Sequence, residues 1–264
     1  MTRTWLLALT ASLLSHVALA EGPLKLMAFN VLFTGSDDAA SVKAIETESP
    51  EVVCLTELTP HFVKAFEGAL SKTYPYRAFV PQAGTWGVGF ASKRPLADVR
   101  TGPVAPSKLP AMEARVQFDG RSVQLVCVHL MPPGGKHQKS DTFFDALEKN
   151  AVVRKKQAQT LVTRFEKTER PVVLLGDFNE EPNGEGLRAL EAAGFTRGCA
   201  LSKSSCTATF PGPVFAWPAV FNIDHVFARG LTFTEAKTVR AGGSDHYPVT
   251  ATLVSTQPRA TTAK

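Results

Sequence analysis

Apolar and polar positions along the chain predict many strands and few long helices. Residues 24–33, LKLMAFNVLF, alternate and then turn wholly apolar, as a central strand does. Residues 37–49 open on two acids and predict a helix. PEVVCLTEL at 50–58 reads as a second buried strand. In TPHFVKAFEGALSK, Thr59 offers a cap, Pro60 a first-turn proline, and Phe62, Phe66 and Leu70 a helical stripe. Short strands are expected over YRAFV and WGVGFASK. Asp119-Gly120 separates two alternating runs and predicts a hairpin. The longest helix is expected over 141–167. VVLL at 172–175 predicts a buried strand, and GEGLRALEAAG predicts a helix closed by Gly194. NIDHVFA, LTFTEAKTV and YPVTATLV predict three closing strands. Hairpins between strands argue against a doubly wound parallel sheet. They point to an α/β sandwich, sheets packed face to face with helices outside.

Composition sets the frame without changing that picture. The chain has 264 residues, 44% hydrophobic and 20% charged, enough for one sizeable core. No repeat or low-complexity linker divides it. Residues 1–20 differ: Arg3 precedes an apolar run, and ALA at 18–20 forms a small-x-small cleavage pattern. This predicts a signal peptide over 1–20, one domain over 21–256 and a flexible tail over 257–264. The leader is short for a membrane span, and no cysteine follows it to carry a lipid. The expected protein is secreted or periplasmic, without stable membrane insertion, and monomeric. The net charge is +5, lowered by one if Arg3 leaves with the leader. Such an excess permits a polyanionic partner without demanding one.

Four cysteines fit an oxidising compartment. Cys199 and Cys206 flank a polar loop and are expected to form a short disulfide. Cys54 and Cys127 lie inside apolar strands and read as buried small hydrophobes. The spacing of the four gives no zinc site.

Candidate chemistry lies at the strand ends. Asn30 ends the first strand, Glu57 the second, and His129 the hairpin's second arm. Asp177 and Asn179 follow VVLL, spaced so that both would face one side of a strand. Asp224 opens a late strand, and Asp245 and His246 sit in the final turn. Each alone reads equally as a turn or capping residue; the conjunction and order carry the information.

The motifs AFNVL, CLTEL, VCVHL, LLGDFN, NIDHVF and SDHYPV, in that order from residue 28 to 249, resemble the endonuclease/exonuclease/phosphatase superfamily, the metal-dependent phosphohydrolases related to pancreatic-type deoxyribonuclease. The resemblance implies a four-layer αββα sandwich of two mixed β-sheets flanked by helices. It implies Glu57, Asn30 and Asp245 around Mg²⁺, with Mn²⁺ or Ca²⁺ as substitutes. It implies His246 as general base or phosphate-contacting cation, held by Asp224, with Asp177 acting on water and Asn179 donating to phosphate. His129 takes the place of a second histidine in the deoxyribonuclease branch. There a glutamate orients it, but YPYRAFVPQAGTWGVGF contains no acid. His225 is expected to face away and serve structure.

The expected function is a secreted, metal-dependent phosphodiesterase, an endonuclease acting on DNA. Lys136, His137 and Lys139 follow His129 and read equally as a loop over a polyanion or as a solvated Gly-Pro loop. Arg154, Lys155 and Lys156 are expected on an outer solvated helix face. The alternatives are a sphingomyelinase-like or small-molecule phosphoesterase, and a secreted binding protein without turnover. No exposed apolar hairpin for entering a membrane is evident in the sequence. A zinc hydrolase built on His129, Asp177 and His246 is weaker, lacking close ligand spacing.

Overall fold

The computed structural model describes residues 22–35, 37–134, 138–139, 141–201, 205–215 and 217–256. The expected leader, the tail, and Lys136 and His137 lie outside them.

Among the described residues, twelve strands form two six-stranded sheets. The first runs β11 (Leu231–Thr238), β12 (Val249–Ser255), β1 (Leu24–Asn30), β2 (Val52–Thr56), β4 (Val88–Ser92), β3 (Tyr76–Val80). The second runs β5 (Ala97–Pro103), β6 (Pro110–Phe118), β7 (Arg121–His129), β8 (Val172–Asp177), β10 (Asp224–Arg229), β9 (Thr196–Arg197). β1 and β2 are parallel, as are β7 and β8; the other pairs are antiparallel. Both sheets are therefore mixed.

Strand alternation makes three apolar layers. Leu24, Leu26 and Ala28 meet Leu125, Cys127, Val173, Leu175, Val226 and Ala228 between the sheets. Met27, Phe29, Val53 and Leu55 turn outward against α1 (Asp38–Glu48) and α2 (Pro60–Leu70). Val172, Leu174 and Phe227 turn outward against α3 (Phe143–Phe165) and α4 (Glu185–Ala192). Strands this apolar on both faces need cover on both faces, and the result is the four-layer αββα sandwich.

The helices start where local chemistry satisfies their first amides. Asp37 accepts from Ala40, Thr59 from Phe62, and Thr142 with Asp145 forms a capping box. Phe62, Phe66 and Leu70 are buried. The Asp119-Gly120 hairpin joins β6 to β7, and Gly194 takes φ +84° after α4.

Two features were not legible in the sequence. β5 is exposed along almost its whole length and gives no core signal. Cys54 and Cys127 are bonded to each other, contrary to their reading as free hydrophobes. They lie on the central strands β2 and β7 of opposite sheets, point into the shared core, and have Cα atoms 5.4 Å apart. A separation of 73 residues hides that meeting from local pattern. Cys199–Cys206 is also bonded, as expected.

Candidate active site at the open end of the sheet pair

Alternation that fills the core also builds the site. Asn30 continues the parity of Leu26 and Ala28; His129 that of Leu125 and Cys127; Asp177 that of Val173 and Leu175. Asp224 shares parity with Val226 and Ala228. All four thus face the slot between the sheets at one end, where apolar packing stops. Register seals the arrangement, since His129 pairs with Asp177 and Asp177 with Asp224.

Gly176 permits this register. A Cβ there would sit 2.0 Å from the Val128 carbonyl oxygen, and its φ is +140°.

Asn30 sits at the centre. Its Nδ2 donates to Glu57 Oε1 at 3.1 Å and to Asp177 Oδ2 at 3.0 Å, and its Oδ1 accepts from the Leu32 amide. Glu57 follows β2 with φ +55° and accepts from the Phe33 amide through Oε2. Leu32 and Asn179 also have positive φ, 61° and 52°. Such backbone costs about 1–3 kcal/mol per residue and persists where surrounding bonds over-determine it.

Asn179 departs from the strand expectation. β8 ends at Asp177, and Asn179 turns so that its backbone amide donates to Asp177 Oδ1 at 2.8 Å. Its Nδ2 donates to the Leu130 carbonyl, while the residue still borders the cleft.

His246 Nδ1 donates to Asp224 Oδ2 at 2.7 Å, and its Nε2 lies 3.8 Å from Asp177 Oδ2. Burial opposes the charged ring, yet Asp224 and then Asp177 outweigh it and hold the pKa up to about 10. Burial first, and the Asp224 charge second, push the Asp177 carboxyl above the usual range. Asp245 is likewise raised by burial, with the Glu57 charge adding and His246 opposing. Ser244 ties this turn to β1 by donating to the Asn30 carbonyl.

His129 has an orienting partner, though not an acid. Its Nδ1 donates to the Thr85 carbonyl at 3.1 Å, leaving Nε2 3.6 Å from Asp177 Oδ2 and 3.9 Å from Glu57 Oε1. A backbone carbonyl carries no residue signature, so the sequence could not reveal it. Gly87 holds this segment close: a Cβ there would sit 1.8 Å from the Leu58 carbonyl oxygen.

Every expected site residue is thus at one end of the sandwich. His225 faces the opposite side, buried between Phe178 and Phe227, with Nε2 on the Glu180 carbonyl. Arg154 overturns an expectation: it is 7% exposed and borders the cleft, donating to the Met131 carbonyl. Lys155 pairs with Glu185 and Lys156 is exposed. Lys139 is exposed as well.

The donor set fits a hard divalent cation. Glu57, Asp177 and Asp245 bring carboxylates to the mouth, and burial raises the Asp177 and Asp245 carboxyls, with the Asp224 charge adding at the first and the Glu57 charge at the second. Asp177, Asp224 and His246 also approach within 4.8 Å of one another. We assign that trio a different role, because the Asp224–His246 pair neutralises itself and the carboxylates beside Asn30 are the oxygen-rich group. As placed, Asn30 presents hydrogens to those carboxylates rather than its oxygen.

The sequence model of the endonuclease/exonuclease/phosphatase family matches residues 27–246. The chain belongs to the endonuclease/exonuclease/phosphatase family. This family comprises hydrolases acting on phosphoesters, and the two six-stranded sheets with flanking helices are its fold. No curated protein matches in sequence. Among solved structures, a functionally unknown conserved protein of Enterococcus faecalis V583 is similar at TM-score 0.69 and 15% identity, covering 88% of this chain and 99% of that one. A family member from Bacteroides vulgatus is similar at TM-score 0.69 and 16% identity, covering 89% and 100%. D. rerio TDP2 complexed with single strand DNA product is similar at TM-score 0.69 and 17% identity, covering 89% and 100%. At these identities the likeness is one of fold.

Proposed function

We propose that the chain is an exported, divalent-metal-dependent phosphodiesterase acting on nucleic acid. The observation that carries it is the convergence of Glu57, Asp177, Asp224 and His246 at one end of the slot between the sheets. The substrate class draws support from the DNA-bound TDP2 structure of the same fold. Export draws support from the apolar leader and from two disulfides, which persist in oxidising compartments.

Asp177 is the group that takes a proton from the attacking water. Its raised pKa makes it a stronger base than an ordinary carboxylate, and Asn30 and the Asn179 amide fix its direction. His246 is a cation at neutral pH, so its Nε2–H contacts a non-bridging phosphate oxygen and offsets charge there. Asp224 keeps that proton in place. His129, aimed by Thr85, points its Nε2 into the slot beside Asp177 and Glu57. Glu57 and Asp245 would hold Mg²⁺, which would polarise the phosphate and ease departure of the leaving oxygen.

The test uses purified mature protein and supercoiled plasmid. Nicking with Mg²⁺ or Mn²⁺, lost on EDTA treatment and restored by excess metal, is the expected result. Glu57→Gln raises the Mg²⁺ concentration needed for half-maximal rate. Undiminished nicking in EDTA would contradict metal dependence.

A further inference from the structure

We infer that the cleft beside the site seats unpaired nucleobases, which makes a single strand rather than a duplex the preferred substrate. This rests on the phosphodiesterase reading above and goes beyond it.

The cleft measures about 960 Å³ and is continuous with Asp177 and His246. One wall is α3, where Phe143, Leu147 and Ala151 recur every four residues and share a face. Another is the chain entering β10, with Phe210, Phe221 and Ile223. No exposed apolar hairpin is evident in the sequence, yet Phe210 and Phe221 bridge in antiparallel fashion and bracket an apolar loop. The Phe210 ring is 5.1 Å from the His246 ring and 6.5 Å from the Phe221 ring. Aromatic surface therefore begins where the phosphate is proposed to bind. A base hangs one sugar away from its phosphate, so it falls naturally on that surface.

Phe143 is 60% exposed and Phe221 49% exposed, a cost in water that a ligand's flat face removes. Polar groups on the same lining decide what that ligand is. Glu148, Glu181 and Asn183 accept hydrogen bonds from exocyclic amines on bases. The carboxylates repel a phosphate backbone. Beside an acyl chain they would lose water without a partner. The cations do not form a track either: Arg154 is tied to Met131 and Lys155 to Glu185, leaving Arg188 exposed on the lining. A duplex hides base faces in its stack, whereas a single strand offers them to aromatic platforms.

The experiment measures kcat/KM with Mg²⁺ on a mixed-sequence DNA strand, its RNA counterpart, the annealed duplex, sphingomyelin vesicles and methyl p-nitrophenyl phosphate. The expected result is a preference of about tenfold or more for single strands over duplex. The Phe143→Ala/Phe221→Ala double variant should lower the ratio of strand to small-diester cleavage by about tenfold, one stacked base's worth. Phe221→Trp retains the ratio, and Phe221→Leu, apolar but unable to stack, lowers it. Melting curves check that these exposed positions leave the fold intact. Equal duplex cleavage, an unmoved ratio in the double variant, or preferred hydrolysis of vesicles overturns the inference while the phosphodiesterase reading stands. Inertness toward methyl p-nitrophenyl phosphate and every polynucleotide removes the phosphodiesterase reading, and the inference falls with it.

Discussion

Asp224 Oδ2 and His246 Nδ1 lie 2.7 Å apart, both buried, and this contact sets the charge of the imidazole that faces Asp177. Asp224→Asn removes the carboxylate that chiefly raises the His246 pKa. The proposed mechanism needs His246 protonated, so it places the alkaline limb of kcat/KM near pH 10 in the natural chain. In the variant it moves down toward the ordinary histidine value of about 6.5. The acid limb, set by Asp177, should lie above the usual carboxylate range because burial raises that group. At pH 7 about a quarter of the rings would then stay protonated, so the rate should fall about fourfold and more steeply above that pH. A pH–rate profile of both proteins checks all three.

His225 contributes to acid sensitivity rather than catalysis. Burial lowers its pKa to about 4, so the folded ring stays neutral while the unfolded one takes a proton below about 6.5. Stability from this group is present above that value and lost as pH falls toward 4. The loss amounts to about 3 kcal/mol. His225→Gln keeps a donor for the Glu180 carbonyl but does not titrate, so its stability should decline less between pH 6.5 and 4. Urea unfolding at a series of pH values reads the difference.

Cys54–Cys127 joins the two sheets through the core. Closing a loop of 73 residues removes much freedom from the unfolded chain. The Cys54→Ala/Cys127→Ala variant should lose about 4 kcal/mol, and the variant lacking Cys199–Cys206 about 2 kcal/mol. Denaturant midpoints of the two variants decide the order. A larger loss from the short loop would contradict it.

Gly176 lets β8 approach β7 so that His129 and Asp177 meet. Gly176→Ala places a methyl against the Val128 carbonyl at a backbone angle that favours glycine. Stability should fall by more than about 2 kcal/mol. Turnover should fall further than the folded fraction does, because the two side chains are displaced together. Thermal melts beside active-site titration separate these effects.

The architecture was legible where one residue's neighbours decide its environment. The run of VVLL ending in Asp177, the Thr59-Pro60 start of α2 and the Asp119-Gly120 turn are local signals, and each appears in the fold. The site was legible because polar residues ending apolar strands stand out from them. Contacts between distant segments were not. Cys54 and Cys127 lie on facing sheets, Thr85 acts through its backbone, and Arg154 is buried by a loop 23 residues earlier. Asn179 was misread because the strand parity assumed for it ends two residues sooner. The aromatic loop around Phe210 and Phe221 escaped because its exposure depends on tertiary placement.

The central claim is that Asp177 and His246 act together on one phosphodiester. The most direct measurement is single-turnover cleavage of a labelled DNA strand with Mg²⁺ by the natural chain, Asp177→Asn and His246→Ala, each shown folded by its melting curve. The account predicts a loss of about a hundredfold or more in each variant, with the double variant little worse than either single one. Rates near the natural value in either folded single variant would contradict it.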